Sequence, residues 1–259
     1  MRILITNDDG INAPGLTILE NIADTLAGPQ GEVWVVAPAF DQSGVAHCVN
    51  LARPILVSKL AKQRFSVEGT PADCVLVGLH EVLSETRPDV VLSGVNRGNN
   101  SAENTLYSGT LGAAMEAALQ GHLSIALSQY YGPANKDLDN PFEAAAHHGV
   151  DLLRTIIDHD LGNSEYRVFY NVNFPPVAAA AVKGIKMTSQ GRRPDVQYGV
   201  VGHNSPSGKR FVWLKGGGQH IPTAEGTDAK ANLEGYISVT PMCGDLTDYG
   251  RLNQFRTTL

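Results

Sequence analysis

The sequence is poor in cysteine, lacks long apolar runs and carries no excess of positive charge. Its cysteines are Cys48, Cys74 and Cys243. That odd, widely spaced set has no C-x-x-C pair, which argues against a disulfide framework and a thiolate zinc site and suits a reducing compartment. Lysine and arginine total 20 against 26 aspartates and glutamates, giving a net charge of −6 and a pI near 5.7. Such a chain has no basic footprint for gripping duplex nucleic acid or an anionic membrane surface. No apolar run approaches the ~18 residues of a membrane span, and the apolar stretch before Thr6 is too short for a signal-peptide core. The expectation is a cytoplasmic, soluble protein with no membrane and no duplex nucleic acid among its partners.

Several catalytic and nucleotide motifs are also missing. There is no G-x-x-x-x-G-K-[ST] loop, and no G-x-G-x-x-G turn follows the first strand. The eight histidines form no H-E-x-x-H, and no Ser-His-Asp set can be assembled by spacing. His147-His148 reads as a pair of surface and core neighbours on a helix, and Arg192-Arg193 as an exposed charged turn, with steering of an anionic substrate as the alternative.

What is present is an α/β rhythm. At 259 residues, 42% of them hydrophobic, the chain can bury a sizeable core. Arg2–Thr6 and Glu32–Ala37 read as buried strands. Between them Pro14 opens a helix with an apolar stripe at Leu16, Leu19, Ile22, Ala23 and Leu26, ended by Gly28-Pro29. This is a βαβ unit, whose strong default is parallel and right-handed. Ile55–Ser58 and Arg64–Glu68 alternate as short strands. Thr70-Pro71-Ala72-Asp73 then starts a helix with Thr70 as N-cap. Asp89–Ser93 is a further buried strand, followed by the loop Gly94–Asn100, the alanine-rich helix Gly109–Gln120 and the strand Leu123–Ser128. Beyond residue 130 the rhythm weakens. Pro141–Asp158 looks helical, Val168–Val172 and Gly184–Thr188 look extended, and 175–235 turns polar and glycine-rich, as hairpins and extended arms do.

The chemistry gathers where the strands end. Ile3-Leu4-Ile5-Thr6 runs into Asp8-Asp9-Gly10, a carboxylate pair that needs water, hydrogen bonds or a cation. Ligands of open parallel sheets bind outside the carboxyl ends of the strands. Asp8 and Asp9 follow the first strand, Ser43 the second, and Asn96 and Asn100 the strand at 89–93. Together they make an all-oxygen donor set for Mg²⁺ or Mn²⁺. The plainer alternative makes Asp8 a cap or Asx-turn residue and Ser43, Asn96 and Asn100 ordinary turn residues. Ser108-Gly109-Thr110 opens a helix, and both anion binding at the helix N-terminus and simple capping by Ser108 account for it.

At these residues the chain closely resembles the SurE survival-protein family of nucleotidases. The resemblance rests on Ile3-Leu4-Ile5-Thr6-Asn7-Asp8-Asp9-Gly10-Ile11, Val36-Ala37-Pro38 with Ser43, Gly69-Thr70-Pro71-Ala72-Asp73-Cys74-Val75 and Leu92 through Asn100. It continues in Tyr107 through Glu116, Asn171-Val172-Asn173-Phe174-Pro175 and Thr227 through Pro241, in order along nearly the whole chain. It implies a Rossmann-like, mostly parallel α/β sheet flanked by helices, a single domain over 1–259. A smaller C-terminal β-hairpin and extended arm, at about 175–235, would be exchanged between subunits of a homodimer or homotetramer. It implies a metal-dependent phosphatase acting on nucleoside 5′- and 3′-monophosphates, with polyphosphate as a further substrate and one Mg²⁺ or Mn²⁺ per subunit. By position, Asp8, Asp9, Ser43 and Asn96 match the metal ligands, Ser108, Gly109 and Thr110 the phosphate-binding turn, and Asn100 the substrate-side loop. Asp8, Asp9 and Asn96 are the implied catalytic set, with Asp8 the principal ligand and Asp9 either sharing ligation or accepting a proton from the attacking water. Two alternatives stand beside this: a metal-dependent deacetylase, which would want histidine ligands near Thr6-Asn7, and a non-catalytic nucleotide or phosphate binder.

Overall fold

The computed structural model describes residues 1–162, 167–194 and 198–256. Residues 195–197, inside the expected arm, and the last three residues of the expected 1–259 domain lie outside the described part.

The apolar run Ile3-Leu4-Ile5 forms β1 (Arg2–Thr6), and it is continuous because both faces of the strand are covered. Ile3 and Ile5 point to one side, against Leu16, Leu19 and Ile22 of α1 (Pro14–Ala27) and Leu152 and Leu153 of α4 (Glu143–His159). Leu4 points to the other, against Cys74 and Val75 of α2 (Pro71–Val77) and Ala113 and Ala117 of α3 (Gly109–Leu119). Pro14 stands at the first turn of α1, and Gly28, at φ +74°, ends it. Thr70 and Asp73 close a reciprocal capping box on α2.

The strands are β2 (Glu32–Pro38), β3 (Val57–Ala61), β4 (Arg64–Val67), β5 (Val90–Arg97), β6 (Ser124–Gln129), β7 (Phe169–Phe174), β8 (Ile185–Met187), β9 (Gly199–Asn204), β10 (Arg210–Lys215) and β11 (Ile237–Met242). The central sheet runs β3-β4-β2-β1-β5-β6-β7-β11-β8. It is parallel from β4 through β7, with antiparallel pairs at β3/β4 and β7/β11. The α/β class expected from the sequence is the one observed. β9 and β10 pair as a separate antiparallel hairpin whose residues are all exposed. Two short helices, α5 (Asp228–Leu233) and α6 (Tyr249–Arg256), flank β11 in the chain. Among the described residues no helix is long and apolar enough to cross a membrane.

Two details depart from the sequence reading. β5 does not stop at Ser93 but continues to Arg97, with a register shift against β6 between Ser93 and Asn96. Gly94 allows this: its φ is +137°, and a Cβ there would lie 2.2 Å from the Leu127 carbonyl oxygen. Arg193, read as part of an exposed turn, is 3% exposed. The chain leaves β1 toward β2 on one side and reaches β5 on the other, so the strand order reverses between β1 and β5. That switch point is where an open α/β sheet offers a crevice.

Candidate active site

The end of β1 is shaped by Asn7. Its amide donates to the Gly10 carbonyl (2.8 Å) and accepts from the Gly10 N–H (3.2 Å), folding residues 7–10 into a closed turn. Gly10 has φ +100°, and a Cβ on it would press on the Phe40 backbone at 3.3 Å. Within this turn Asp8 is 4% exposed and Asp9 half-buried. The Asp8 carbonyl accepts from the Gln42 N–H (2.8 Å), which ties the loop after β2 to the end of β1.

The surroundings of Asp8 are short of positive charge. The Thr110 hydroxyl donates to its Oδ1 at 2.6 Å. Burial nevertheless pushes the Asp8 carboxyl up to about 7, against the lowering effect of the Thr110 bond and with the Asp9 charge adding to the rise. Asp9 accepts from the Arg97 N–H (3.0 Å), joining β1 to the end of β5. Its carboxyl too is raised, first by burial and then by the Asp41 charge, while the Arg97 N–H pulls it down. Asp41 accepts from the Ser43 N–H (2.7 Å) and so holds Ser43 at its place in the loop.

A crevice of about 250 Å³ opens over this point, bordered by Asp8, Ser43, Asn96, Asn100 and Ser108. Five of the eight residues singled out in the sequence thus share one lining. The half-buried Asp9, next to Asp8 in the turn, and the buried Gly109 and Thr110 are not part of that lining. Asn96 donates through Nδ2 to the Gly98 carbonyl (3.0 Å), leaving its amide oxygen as the available donor atom. Asn100 is fixed by its N–H to Asn173 (2.7 Å), its amide to Ser128 (2.8 Å) and its carbonyl to the Asn171 amide (2.8 Å).

Of the two readings of the Ser108–Thr110 turn, the capping one is visible in its contacts. Ser108 caps α3, accepting from the Leu111 N–H at 3.1 Å. Gly109 sits at a close approach: a Cβ there would lie 3.0 Å from the Asp8 Cβ and 3.1 Å from Pro71. The first turn of α3, capped by Ser108 and bonded to Asp8 through Thr110, is therefore brought hard against Asp8.

The donor set fits a hard divalent ion. Two carboxylates, a hydroxyl and an oriented amide oxygen are all oxygen ligands, and a buried carboxylate held up at about 7 is one that a cation would stabilise. Among the described residues no group of three or more His, Cys, Asp and Glu side chains could hold a metal, and no histidine borders the crevice. Softer zinc ligation has no support there.

Sequence reasoning missed several contributors. Arg97 borders the crevice with its guanidinium over the Tyr131 ring at 5.4 Å. Arg193 donates to the Ser101 carbonyl, Ser101 Oγ and Asn99 Oδ1, each at 3.1 Å, and pairs with Glu103 at 3.6 Å. Asp228 accepts from the N–H groups of Ala102 (3.0 Å) and Gly191 (2.8 Å), clamping two loops together. The only signals available were the Arg192-Arg193 pair and the Thr227-Asp228 step.

Fold and site define a doubly wound α/β protein with an oxygen-lined, acidic crevice at its topological switch point, backed by a helix N-terminus. Residues 3–197 match the family described as Survival protein SurE, and the chain belongs to that family. It is 63% identical over 248 residues, 95% of each chain, to the 5′-nucleotidase SurE of Roseobacter denitrificans. It is 60% identical over 260 residues, 100% of each chain, to the 5′-nucleotidase SurE of Ruegeria pomeroyi. The crystal structure of the SurE protein from Aquifex aeolicus superposes with a TM-score of 0.80 at 36% identity, covering 100% of this chain and 99% of that one.

Proposed function

We propose that the chain is a divalent-metal-dependent phosphomonoesterase that hydrolyses nucleoside 5′- and 3′-monophosphates to nucleoside and phosphate. The observation that carries this reading is Asp8: a nearly buried carboxylate at the end of β1, bordering a crevice shared with Ser43 and Asn96 and touched by the first turn of α3. The full-length similarity to relatives named 5′-nucleotidases supports it.

Asp8, Asp9, Ser43 and Asn96 would hold one Mg²⁺ or Mn²⁺ per subunit. The chemistry supplied by such an ion is neutralisation of phosphoryl charge and acidification of a bound water. The residues do the rest by positioning, which is the main task in phosphoryl transfer. Asp9, less buried than Asp8, would either share in holding the ion or accept a proton from the attacking water. The α3 N-terminus at Ser108–Thr110 would hold the phosphate charge from the side of Ser108, Arg97 borders the same crevice, and the triply bonded Asn100 fixes the substrate-side wall. The terminal phosphate of polyphosphate presents the same chemistry to the same site.

A zinc deacetylase is disfavoured because Asn7, where a histidine ligand would be wanted, is folded back on Gly10. For the 175–235 region we propose contacts between subunits of a homodimer or homotetramer through an exchanged arm. Its support is the β9/β10 hairpin, where Trp213 and Leu214 are 72% and 77% exposed, more apolar surface than an isolated hairpin keeps in water.

The test is hydrolysis of 5′-AMP and 3′-AMP with Mg²⁺, Mn²⁺ or chelator. Chelation is expected to abolish turnover, either ion to restore it, and Asp8→Asn to lower kcat about a hundredfold or more. Wild-type activity that survives chelation sinks the metal assignment. Absence of turnover on every nucleotide leaves the non-catalytic binder.

A further inference from the structure

We propose that Tyr107 and Tyr198 form a stacking subsite for the nucleobase, the part of the crevice that distinguishes a nucleotide from a plain phosphate ester. The inference rests on the phosphomonoesterase reading for the identity of the substrate, and on separate geometry for the subsite. The two rings meet edge to face, centroids 5.1 Å apart at 61°. Both border the crevice that contains Asp8, yet Tyr107 is 46% and Tyr198 52% exposed. Two aromatic rings left half-open inside a crevice otherwise lined by charged and polar side chains and glycines offer an apolar face to a flat ligand.

Placement favours a base rather than a phosphate. Tyr107 immediately precedes Ser108, so its ring stands one residue from the α3 N-terminus. Its backbone is held on both sides, the carbonyl accepting from the Ala46 N–H (3.1 Å) and the N–H donating to the Asn104 carbonyl (3.1 Å). Tyr198 leads into β9 and comes from the hairpin region. Elsewhere in the same lining the amides are engaged with one another. Asn104 donates to Gln219 Oε1 at 2.6 Å and Asn99 to the same atom at 3.3 Å, while the Tyr130 hydroxyl holds the Gln219 carbonyl at 2.8 Å. With those donors taken, the edge of a base finds few partners, while its π face can stack on one ring of the pair with the other set at its edge. Stacking of this kind is tolerant of base identity, so the subsite accepts purines and pyrimidines alike.

The test compares AMP with ribose 5-phosphate, which has the phosphate and sugar but no base. In Tyr107→Leu and Tyr198→Leu the ratio of kcat/KM for AMP to that for ribose 5-phosphate is expected to fall about tenfold, carried by KM, while Tyr107→Phe keeps the wild-type ratio. Calorimetric titration of AMP into the same proteins should show a matching loss of affinity, and circular dichroism confirms that each variant is folded. A ratio unmoved in both leucine variants overturns the subsite while the phosphatase reading stands. Tyrosine-dependent AMP binding without hydrolysis of either ester leaves the subsite standing and overturns the phosphatase reading. Wild-type protein that neither binds nor hydrolyses AMP overturns both.

Discussion

The Thr110 hydroxyl donates a 2.6 Å hydrogen bond to the Asp8 carboxylate across 102 residues of sequence. Thr110 is fully buried and does not border the crevice, so its hydroxyl serves Asp8 rather than a phosphate oxygen. Bonds to charged groups contribute about 1.5–3 kcal/mol. Thr110→Val should therefore lower kcat by about tenfold to a hundredfold with little change in KM, and Thr110→Ser should restore most of it. Steady-state kinetics on AMP at saturating metal reads the difference. A selective rise in KM would reassign Thr110 to substrate binding.

How much of this arrangement the sequence discloses depends on the range of the interactions. Asp8, Ser43, Asn96, Asn100 and Ser108 come together because a parallel sheet collects its carboxyl ends, and periodicity alone puts each of them there. The caps at Thr70 and Gly28 are local and equally legible. Gly94 is not: a glycine before an Asn-rich stretch reads as the end of a strand, and only the approach of the Leu127 carbonyl shows that it bends β5 instead of ending it. Arg193 is hidden for the same reason. Its partners Ser101 and Asn99 lie 92 and 94 residues away, and a dipeptide of arginines in a turn carries no sign of them.

Arg193 supplies the second prediction. Removing a buried guanidinium takes the Ser101 carbonyl's side-chain donor and the charge opposite Glu103, and breaking a buried charged pair costs about 3–5 kcal/mol. For a chain of this size Arg193→Met should lower Tm by roughly 10 °C. Arg193→Lys should recover little, because an ammonium cannot span the carbonyl, hydroxyl and amide that the planar fork contacts together. Differential scanning calorimetry decides it; full recovery by lysine would show that charge alone matters.

A third prediction concerns pH and the loop that carries Ser43. Glu116, 6% exposed on α3, meets His47 at 2.6 Å, and that bond holds its carboxyl below the ordinary range. A carboxyl lowered on folding adds stability that is complete above its unfolded pKa of about 4.3 and is lost as pH falls through the folded value. Wild type should thus exceed Glu116→Gln by on the order of 1–2 kcal/mol at pH 6, and the gap should close in acid below about pH 4. Urea unfolding across that range measures it. A gap that persists in acid would point to packing rather than charge.

Gly109 separates stability from activity. Its backbone is helical and not left-handed, so alanine is conformationally acceptable and even a better helix former. The added Cβ, however, would stand 3.0 Å from the Asp8 Cβ and 3.2 Å from its Oδ2, tighter than ordinary contact, so Asp8 must shift by a few tenths of an ångström. A displacement of about 1 Å in a reacting constellation costs on the order of a hundredfold in rate, so a shift of this size should cost about tenfold. Gly109→Ala is therefore expected to melt within about 2 °C of wild type while kcat on AMP falls and the metal concentration for half-maximal activity rises. Thermal melts and a Mn²⁺ titration on the same preparation give both readings. Unaltered kinetics would mean that α3 yields instead of Asp8, and that the tight approach of the helix to this carboxylate is a matter of packing alone.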